Sequence, residues 1–193
     1  MTPGLEPTGS VSVAARKRSL RLLAIVDGAS IVFSWGAGLA LVLLAGSVFI
    51  DVIGRAFFSS PLTGTLEMTA NWWMPMLTLL AFGVTELRQE HIKVTILLDA
   101  LTLRTRQIVE GLFGIVATAL LAALAWYSLQ EALDSAAFGE TTASTPPVAI
   151  WPFKFVAVAG VTMLALQSAA TALRYFAGEL PRPHVYDTDA DIA

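Results

Sequence analysis

The chain has 193 residues, of which 55% are hydrophobic and 14% are charged, and its formal net charge is −3. Soluble domains usually carry about 25% charged residues, so this composition predicts an integral membrane protein. The small net charge argues against nucleic-acid binding, and no basic cluster is interleaved with aromatic residues. The absence of cysteine excludes disulfides, thiol nucleophiles and cysteine metal sites. At roughly 20 residues per span, the length allows about four transmembrane helices.

The N-terminal stretch and the first apolar segment differ sharply in composition. Residues 1–19 are rich in Pro, Gly, Ser and Thr and end in a basic run, which predicts a disordered cytoplasmic tail. A cleaved secretory signal is the alternative, but Asp27 interrupts its apolar core and the apolar segment that follows is too long. Residues 29–50 carry no charge and can cross a hydrocarbon core of roughly 30 Å, so we predict the first span there. Asp51 and Arg55 follow at i, i+4 spacing and are expected to pair.

The second predicted span, residues 67–85, has aromatic residues near its start and a proline in its interior. Trp72 and Trp73 lie at the depth expected of an aromatic belt. Pro75 removes the usual hydrogen-bond donor for the Asn71 carbonyl, which predicts a kink in the helix at this point. The Asn71 side chain is expected to bond to a neighbouring helix.

A polar interval over residues 86–106 separates the two apolar halves of the chain. Apolar residues within it recur at i, i+3, i+4 and i+7, the spacing of one helical stripe. We therefore predict an amphipathic helix over about residues 89–103 that lies in the membrane plane. The stripe consists of Val94, Leu97, Leu98 and Leu101.

The third and fourth predicted spans are residues 108–129 and 152–176. The third helix can continue beyond its span until Gly139 stops it. Pro152 suits the first turn of the fourth helix, where its missing N–H is harmless. The polar residues 178–193 are expected to form a second disordered cytoplasmic tail.

Basic residues alternate between the predicted loops. The N-terminal tail, the central interval and the end of the fourth span carry arginine and lysine, whereas the first hairpin turn has only Arg55. The loop between the third and fourth spans has no basic residue before Lys154. The positive-inside rule therefore places both termini and the central helix in the cytoplasm. The predicted fold is an all-α membrane domain over residues 20–177, with four transmembrane helices in two hairpins joined by a cytoplasmic in-plane amphipathic helix.

Recognisable catalytic and cofactor-binding patterns are missing from the sequence. His91 and His184 both lie outside the predicted spans, which argues against a haem-binding anchor. His91 beside Glu90 is more typical of an interfacial histidine than of a metal ligand. The predicted spans carry no charge at mid-membrane depth, which argues against a self-contained pump. We predict a membrane protein without chemistry of its own, and not an enzyme, which suggests a subunit of a larger assembly. A membrane anchor of an oxidoreductase and a small exporter stay open as alternatives.

A motif of ordered residue types runs from the second span into the central helix. It comprises Glu67 at the helix start, Trp72 and Trp73, Gly83, and the stretch His91-Ile92-Lys93-Val94. This pattern, within residues 64–101, resembles the signature of the small permease subunit of TRAP (tripartite ATP-independent periplasmic) transporters, the DctQ-like family. The sequence departs from the family pattern at three positions: Leu66 precedes Glu67 in place of an acid, Thr95 follows the motif valine in place of an acid, and Leu103 stands near a common proline.

The resemblance implies a role without a catalytic site or a cofactor. In such transporters a large membrane subunit carries sodium and a substrate, typically an organic acid anion, and a periplasmic solute-binding protein delivers that substrate. The small subunit packs against the fixed scaffold of the large one. We therefore expect a bacterial inner-membrane protein whose partners are the large TRAP permease subunit, the solute-binding protein and membrane lipids. The residues expected at the partner or lipid interface are Glu67, Asn71, Trp72, Trp73, His91, Lys93, Leu97, Leu98, Asp99 and Leu101.

Overall fold

The computed structural model describes residues 9–58, 63–89 and 101–178, with side chains from residue 21 onward. The described residues form helices joined by turns and contain no strand, which confirms the all-α prediction. In chain order the elements are α1 (Gly9–Phe58), α2 (Thr65–Met68), a π-helical turn (Thr69–Trp73), α3 (Met74–Leu87), α4 (Leu103–Phe138) and α5 (Trp151–Phe176).

Among the residues that the structure describes, three helical segments are long and apolar enough to cross a membrane: Arg21–Phe58, Leu103–Phe138 and Trp151–Phe176. They contain the first, third and fourth predicted spans. The second predicted span is divided among α2, the π-helical turn and α3, which have 4, 5 and 14 residues. Pro75 explains the division, because it stands in the first turn of α3 and cannot donate to the turn before it.

The first helix is longer than the sequence predicts. It begins at Gly9, so residues 9–19 are helical although their composition predicts a disordered tail. Extending an existing helix requires only one more ordered residue for each new hydrogen bond, whereas starting a new helix is costly. Ala14, Ala15 and Arg16 are also strong helix formers, which favours this extension.

The sequence accounts for both ends of α4 and the start of α5. Thr102 caps α4, and its side-chain oxygen accepts a hydrogen bond from the Thr105 N–H at 3.4 Å. Gly139 ends α4 in the left-handed conformation, with φ of 62°, and this confirms it as the helix stop. Pro152 lies in the first turn of α5, as expected from its missing N–H.

The predicted amphipathic helix lies almost entirely outside the described residues. At its edges Gln89 forms a turn with φ of 56°, and Leu101 lies in a bend before the cap of α4. Neither of these two edge residues is helical. The arrangement of this segment stays a prediction.

The helices pack through small side chains. Helix α1 packs against α3, α4 against α5, and α3 against α5, which joins the two pairs. A Cβ atom added at Gly160 of α5 would lie 2.7 Å from the Leu79 carbonyl oxygen of α3. One added at Gly114 of α4 would lie 2.8 Å from the Cβ of Ala172 in α5. Such close approach through small residues is typical of helices that associate in a membrane.

The antiparallel packing separates the charged side chains into two ends of the bundle. One end, called here the arginine end, holds the beginning of α4 and the ends of α3 and α5. The opposite end, called here the loop end, holds residues 139–150, the Asp51–Arg55 ion pair at 2.9 Å and Lys154. The arginine end carries Arg21, Arg88, Arg104, Arg106 and Arg174.

Candidate functional site

At the loop end, Trp72 connects the π-helical turn to the beginning of α5. Its ring stacks on the Phe153 ring, with centroids 4.3 Å apart and planes 17° apart. Its indole Nε1 donates a hydrogen bond to the Ala149 carbonyl at 2.8 Å. Trp73 meets Trp72 edge to face, with ring centroids 5.9 Å apart. Trp72, a residue of the predicted aromatic belt, therefore also holds the π-helical turn against α5 and the loop before it.

Asn71 bonds within its own helix. Its Nδ2 donates a hydrogen bond to the Glu67 carbonyl at 2.9 Å, so the prediction that it bonds to a neighbouring helix is wrong. Asn side chains readily bond to nearby backbone groups, and the irregular π-helical turn brings a carbonyl within reach. Glu67 itself is half-buried in the first turn of α2, where a carboxylate favours the helix dipole.

The loop end also contains a cluster of ion pairs around Lys154. The Lys154 Nζ donates to Glu131 Oε1 at 2.8 Å, and it also donates to the Glu140 carboxylate. The Ser135 hydroxyl donates to the same Glu140 carboxylate. The hydrogen bonds from Lys154 and Ser135 hold the pKa of Glu140 below its ordinary value. The cluster fastens the loop to the ends of α4 and α5.

Near the arginine end, a partly buried polar cluster connects α1 to α5. One nitrogen of the Arg174 guanidinium donates to both carboxylate oxygens of Asp27, at 2.7 and 2.6 Å. Gln167 donates to Asp27 at 3.2 Å and accepts from the Ser30 hydroxyl at 3.0 Å. Ser30 and Gln167 are both 0% exposed. We call these four residues the polar junction.

The polar junction lies where three helices meet. A Cβ atom added at Gly83 of α3 would lie 3.2 Å from the Ser30 hydroxyl and 3.1 Å from Met163 of α5. A side chain at this position would require Ser30 or Met163 to move by a few tenths of an ångström, so glycine favours the close approach of α3 to both neighbours. The junction therefore fixes α1, α3 and α5 against one another.

Sequence reasoning did not identify the polar junction. The sequence pattern marks Asp27 only as an interruption of a signal core, and it does not single out Arg174 or Gln167. A signal was present, because Gln167 is a polar residue within an apolar span and Arg174 follows two turns later on the same face. Polar side chains in such positions usually bond to a neighbouring helix.

Further polar contacts lie at the arginine end, one between α5 and the turn after α3 and one within α4. The buried Tyr175 donates its hydroxyl to Gln89 Oε1 at 3.4 Å. Arg106 and Glu110 pair at 2.9 Å, and the Glu110 side chain is 9% exposed. These contacts position the two chain ends from which the predicted amphipathic segment extends.

A family model described as "Tripartite ATP-independent periplasmic transporters, DctQ component" matches residues 44–178. The chain belongs to the DctQ family. The match covers more than half of the 193 residues and includes the run 64–101, so the resemblance seen in the sequence is confirmed. No curated protein and no solved structure matches the chain.

Membership of the DctQ family makes this chain a transporter component, not an enzyme. It also makes the chain part of a tripartite system, which in general implies a large permease and a binding protein as partners. The matched region begins within α1 and therefore includes only the α5 half of the polar junction, Gln167 and Arg174. Asp27 and Ser30 lie before it.

The described interface candidates of this DctQ chain lie at opposite ends. Glu67, Asn71, Trp72 and Trp73 lie together at the loop end. Leu101 lies half-buried at the arginine end, just before the cap of α4. The remaining candidates, His91, Lys93, Leu97, Leu98 and Asp99, lie outside the described residues, and their interface role stays a prediction.

Large apolar side chains cover the outside of the DctQ helices. Trp35 on α1 is 77% exposed, and Phe113 and Leu120 on α4 are 70% and 68% exposed. Residues 28–50, 111–130 and 155–173 contain no Asp, Glu, Lys or Arg. The faces that surround the bundle are therefore apolar, as lipid or a membrane-embedded partner requires.

Proposed function

We propose that this DctQ chain is the small membrane subunit that scaffolds the large permease of a TRAP transporter during sodium-coupled uptake of an organic acid anion. The observation that carries the proposal is the polar junction, which ties α1 to α5 through hydrogen bonds of 2.6–3.2 Å. A scaffold needs helices that keep their relative positions. The middle of the spans lacks the ionisable groups that mark ion pathways, so the moving parts belong to the partner.

We further propose four spans, with both termini in the cytoplasm of a bacterial inner-membrane protein. The helical run from α2 through α3 covers 23 residues, enough for about 34 Å at 1.5 Å per residue. This length matches a hydrocarbon core of roughly 30 Å and supports a fourth span. The gathering of arginines at one end supports a cytoplasmic arginine end.

The central segment is proposed to lie at the interface with its apolar stripe buried against lipid or the large subunit. Replacing Leu97 and Leu98 together with Asp should weaken assembly of the complex more than Lys93→Ala, because two carboxylates on the stripe must be desolvated at a cost of several kcal/mol. Co-purification of the large subunit with each variant measures this. Wild-type assembly of the double variant would show that the stripe is not buried.

The partner proposal is tested by purifying the tagged chain from its native membrane in mild detergent. We expect a large multi-span permease to co-purify in a fixed ratio with this chain. Identification of the partners by mass spectrometry distinguishes the alternatives. Co-purification with a redox subunit, or a chain that purifies without partners under several mild conditions, would contradict the scaffold proposal.

A further inference from the structure

An open apolar groove of about 340 Å³ runs between α4 and α5 on the surface of the bundle. Alanines from both helices give it its width, and larger side chains border it. On α5 the lining residues extend from Val158 to Ala169, which is about 16 Å at 1.5 Å per residue. This length is close to half the thickness of a hydrocarbon core of roughly 30 Å, so the groove is as long as one lipid leaflet is deep. The lining includes Ala122, Ala125, Trp126, Ala165, Leu166 and Ala169.

The groove ends beneath a charged mouth at the loop end. Lys154 stands one turn before Val158 on the same face of α5 and reaches across to Glu131 of α4 at 2.8 Å. Glu140 binds the same ammonium, and Asp134 follows Glu131 on the same face of α4. The mouth therefore combines one cation with three carboxylates.

The bonding capacity of the mouth determines which headgroup fits it. An ammonium has three N–H donors, and Lys154 uses two on Glu131 and Glu140, which leaves one for a further acceptor. The Glu131 side chain is 68% exposed, so its carboxylate can accept a further hydrogen bond from a group outside the bundle. The mouth can thus bind one anionic oxygen and one cationic donor side by side.

We propose that the groove binds one acyl chain of a phospholipid with a primary-amine headgroup, of the phosphatidylethanolamine type. The lipid phosphate accepts from Lys154, and the lipid ammonium donates to the Glu131 carboxylate. A purely anionic headgroup meets excess negative charge at the mouth, and a choline headgroup has no N–H to donate. A protein helix packed tightly into the groove would instead remove water from the Lys154–Glu131 pair. This desolvation is costly because both ions have hydrogen-bonding groups that the helix would leave without a partner.

The proposal is tested on the full chain by native mass spectrometry after equilibration with equal amounts of phosphatidylethanolamine, phosphatidylcholine and phosphatidylglycerol. We expect at least tenfold preferential retention of phosphatidylethanolamine. Ala122→Leu should lower this retention at least fivefold because it fills the groove. Ala123→Leu is the matched control: it alters an exposed neighbour that does not line the groove, and retention should stay unchanged.

The Glu131→Gln variant distinguishes the contribution of the headgroup to binding from that of the acyl chain. Total lipid retention should persist in this variant, while the preference for phosphatidylethanolamine over phosphatidylcholine should fall severalfold. Equal retention of the three lipids by the unaltered chain would overturn the proposal. Loss of large-permease binding in Ala122→Leu with lipid retention intact would also overturn it, because the groove would then be a protein contact. Lipid retention is measured without the permease, so a negative result in this experiment does not bear on the proposed scaffold function.

Discussion

At the scale of single residues, the buried hydrogen bonds of Gln167 connect two helices that are far apart in sequence. Its side chain accepts from Ser30 and donates to Asp27, and neither Gln167 nor Ser30 is exposed. A buried polar group that loses its partner keeps the full cost of leaving water. The polar junction therefore makes the relative position of α1 and α5 specific, where apolar packing alone would permit sliding.

Gln167→Leu should destabilise the fold by about 1 kcal/mol, since it leaves the Ser30 hydroxyl buried without its acceptor and interhelical hydrogen bonds in membranes have modest strength. Unfolding by sodium dodecyl sulfate in mixed micelles measures the change. Thr162→Val is the control, because the exposed Thr162 hydroxyl donates to the Val158 carbonyl of its own helix. Equal stability of the two variants would contradict the role of the junction.

Glu140 gives the loop a dependence on pH. Hydrogen bonds from Lys154 and Ser135 lower its pKa, so its contribution to loop stability is complete above the ordinary carboxyl pKa of 4.5. That contribution is lost as the pH falls through the lowered pKa, because protonation weakens the bond to Lys154. Hydrogen exchange of the Thr142 and Ile150 amides, corrected for the intrinsic rate, should show loss of protection below pH 4.5.

Glu140→Gln is the control for the pH effect. Its amide does not titrate, so protection of Thr142 and Ile150 should vary much less with pH in this variant. Identical pH profiles for the two proteins would show that another group controls the loop.

Sequence spacing predicts residue contacts only within one helix. The Asp51–Arg55 pair, four residues apart, was predicted and is present at 2.9 Å. The Asp27–Arg174 pair joins positions 147 residues apart. Periodicity indicates which face of a helix is polar, but it does not show which helix that face meets. The failure at Asn71 has a different origin, because its hydrogen bond goes to a backbone carbonyl four residues earlier, which the pattern of side chains does not show.

At the scale of elements, two glycines with the same sequence appearance have opposite roles. Gly160 faces the Leu79 carbonyl of α3, where an added Cβ would lie 2.7 Å from the oxygen. Gly38 of α1 has nothing within 4 Å of an added Cβ. Gly160 therefore sets the distance between α3 and α5, whereas Gly38 has space for a side chain.

Gly160→Ala should destabilise the bundle by about 1–3 kcal/mol, because the new methyl group forces a backbone shift between α3 and α5. Gly38→Ala should be neutral or stabilising by up to about 1 kcal/mol, since Ala is the better helix former. The same micelle unfolding assay compares them. A Gly160→Ala protein as stable as Gly38→Ala would mean that the close packing is not needed.

The sequence predicts the helical elements better than their boundaries. Gly139 and Pro152 marked a helix end and a helix start correctly, because each acts through its own backbone. Pro75 predicts a kink, whereas the structure has a π-helical turn before it, since proline removes a donor without specifying how the preceding turn rearranges. The long extension of α1 was missed because composition describes a segment in isolation and ignores the helix to which it is attached.

At the scale of the whole molecule, apolar helices without mid-span charges surround a core fixed by small residues and one polar junction. The DctQ match places this bundle in a tripartite transporter. The described parts of the spans carry no Asp, Glu, Lys or Arg at mid-span, and the scaffold proposal assigns ion movement to the partner. Under the scaffold proposal, the chain is necessary for transport but is not the path of the substrate.

The central claim is tested most directly by sodium-driven uptake into proteoliposomes that contain the large permease, with its binding protein and labelled organic acids outside. We predict that uptake requires this chain together with both partners, and that the chain alone transports nothing. Omission of the chain should reduce uptake to the level of liposomes without a sodium gradient. Full uptake without the chain, or sodium-driven uptake by the chain alone, would contradict the scaffold account.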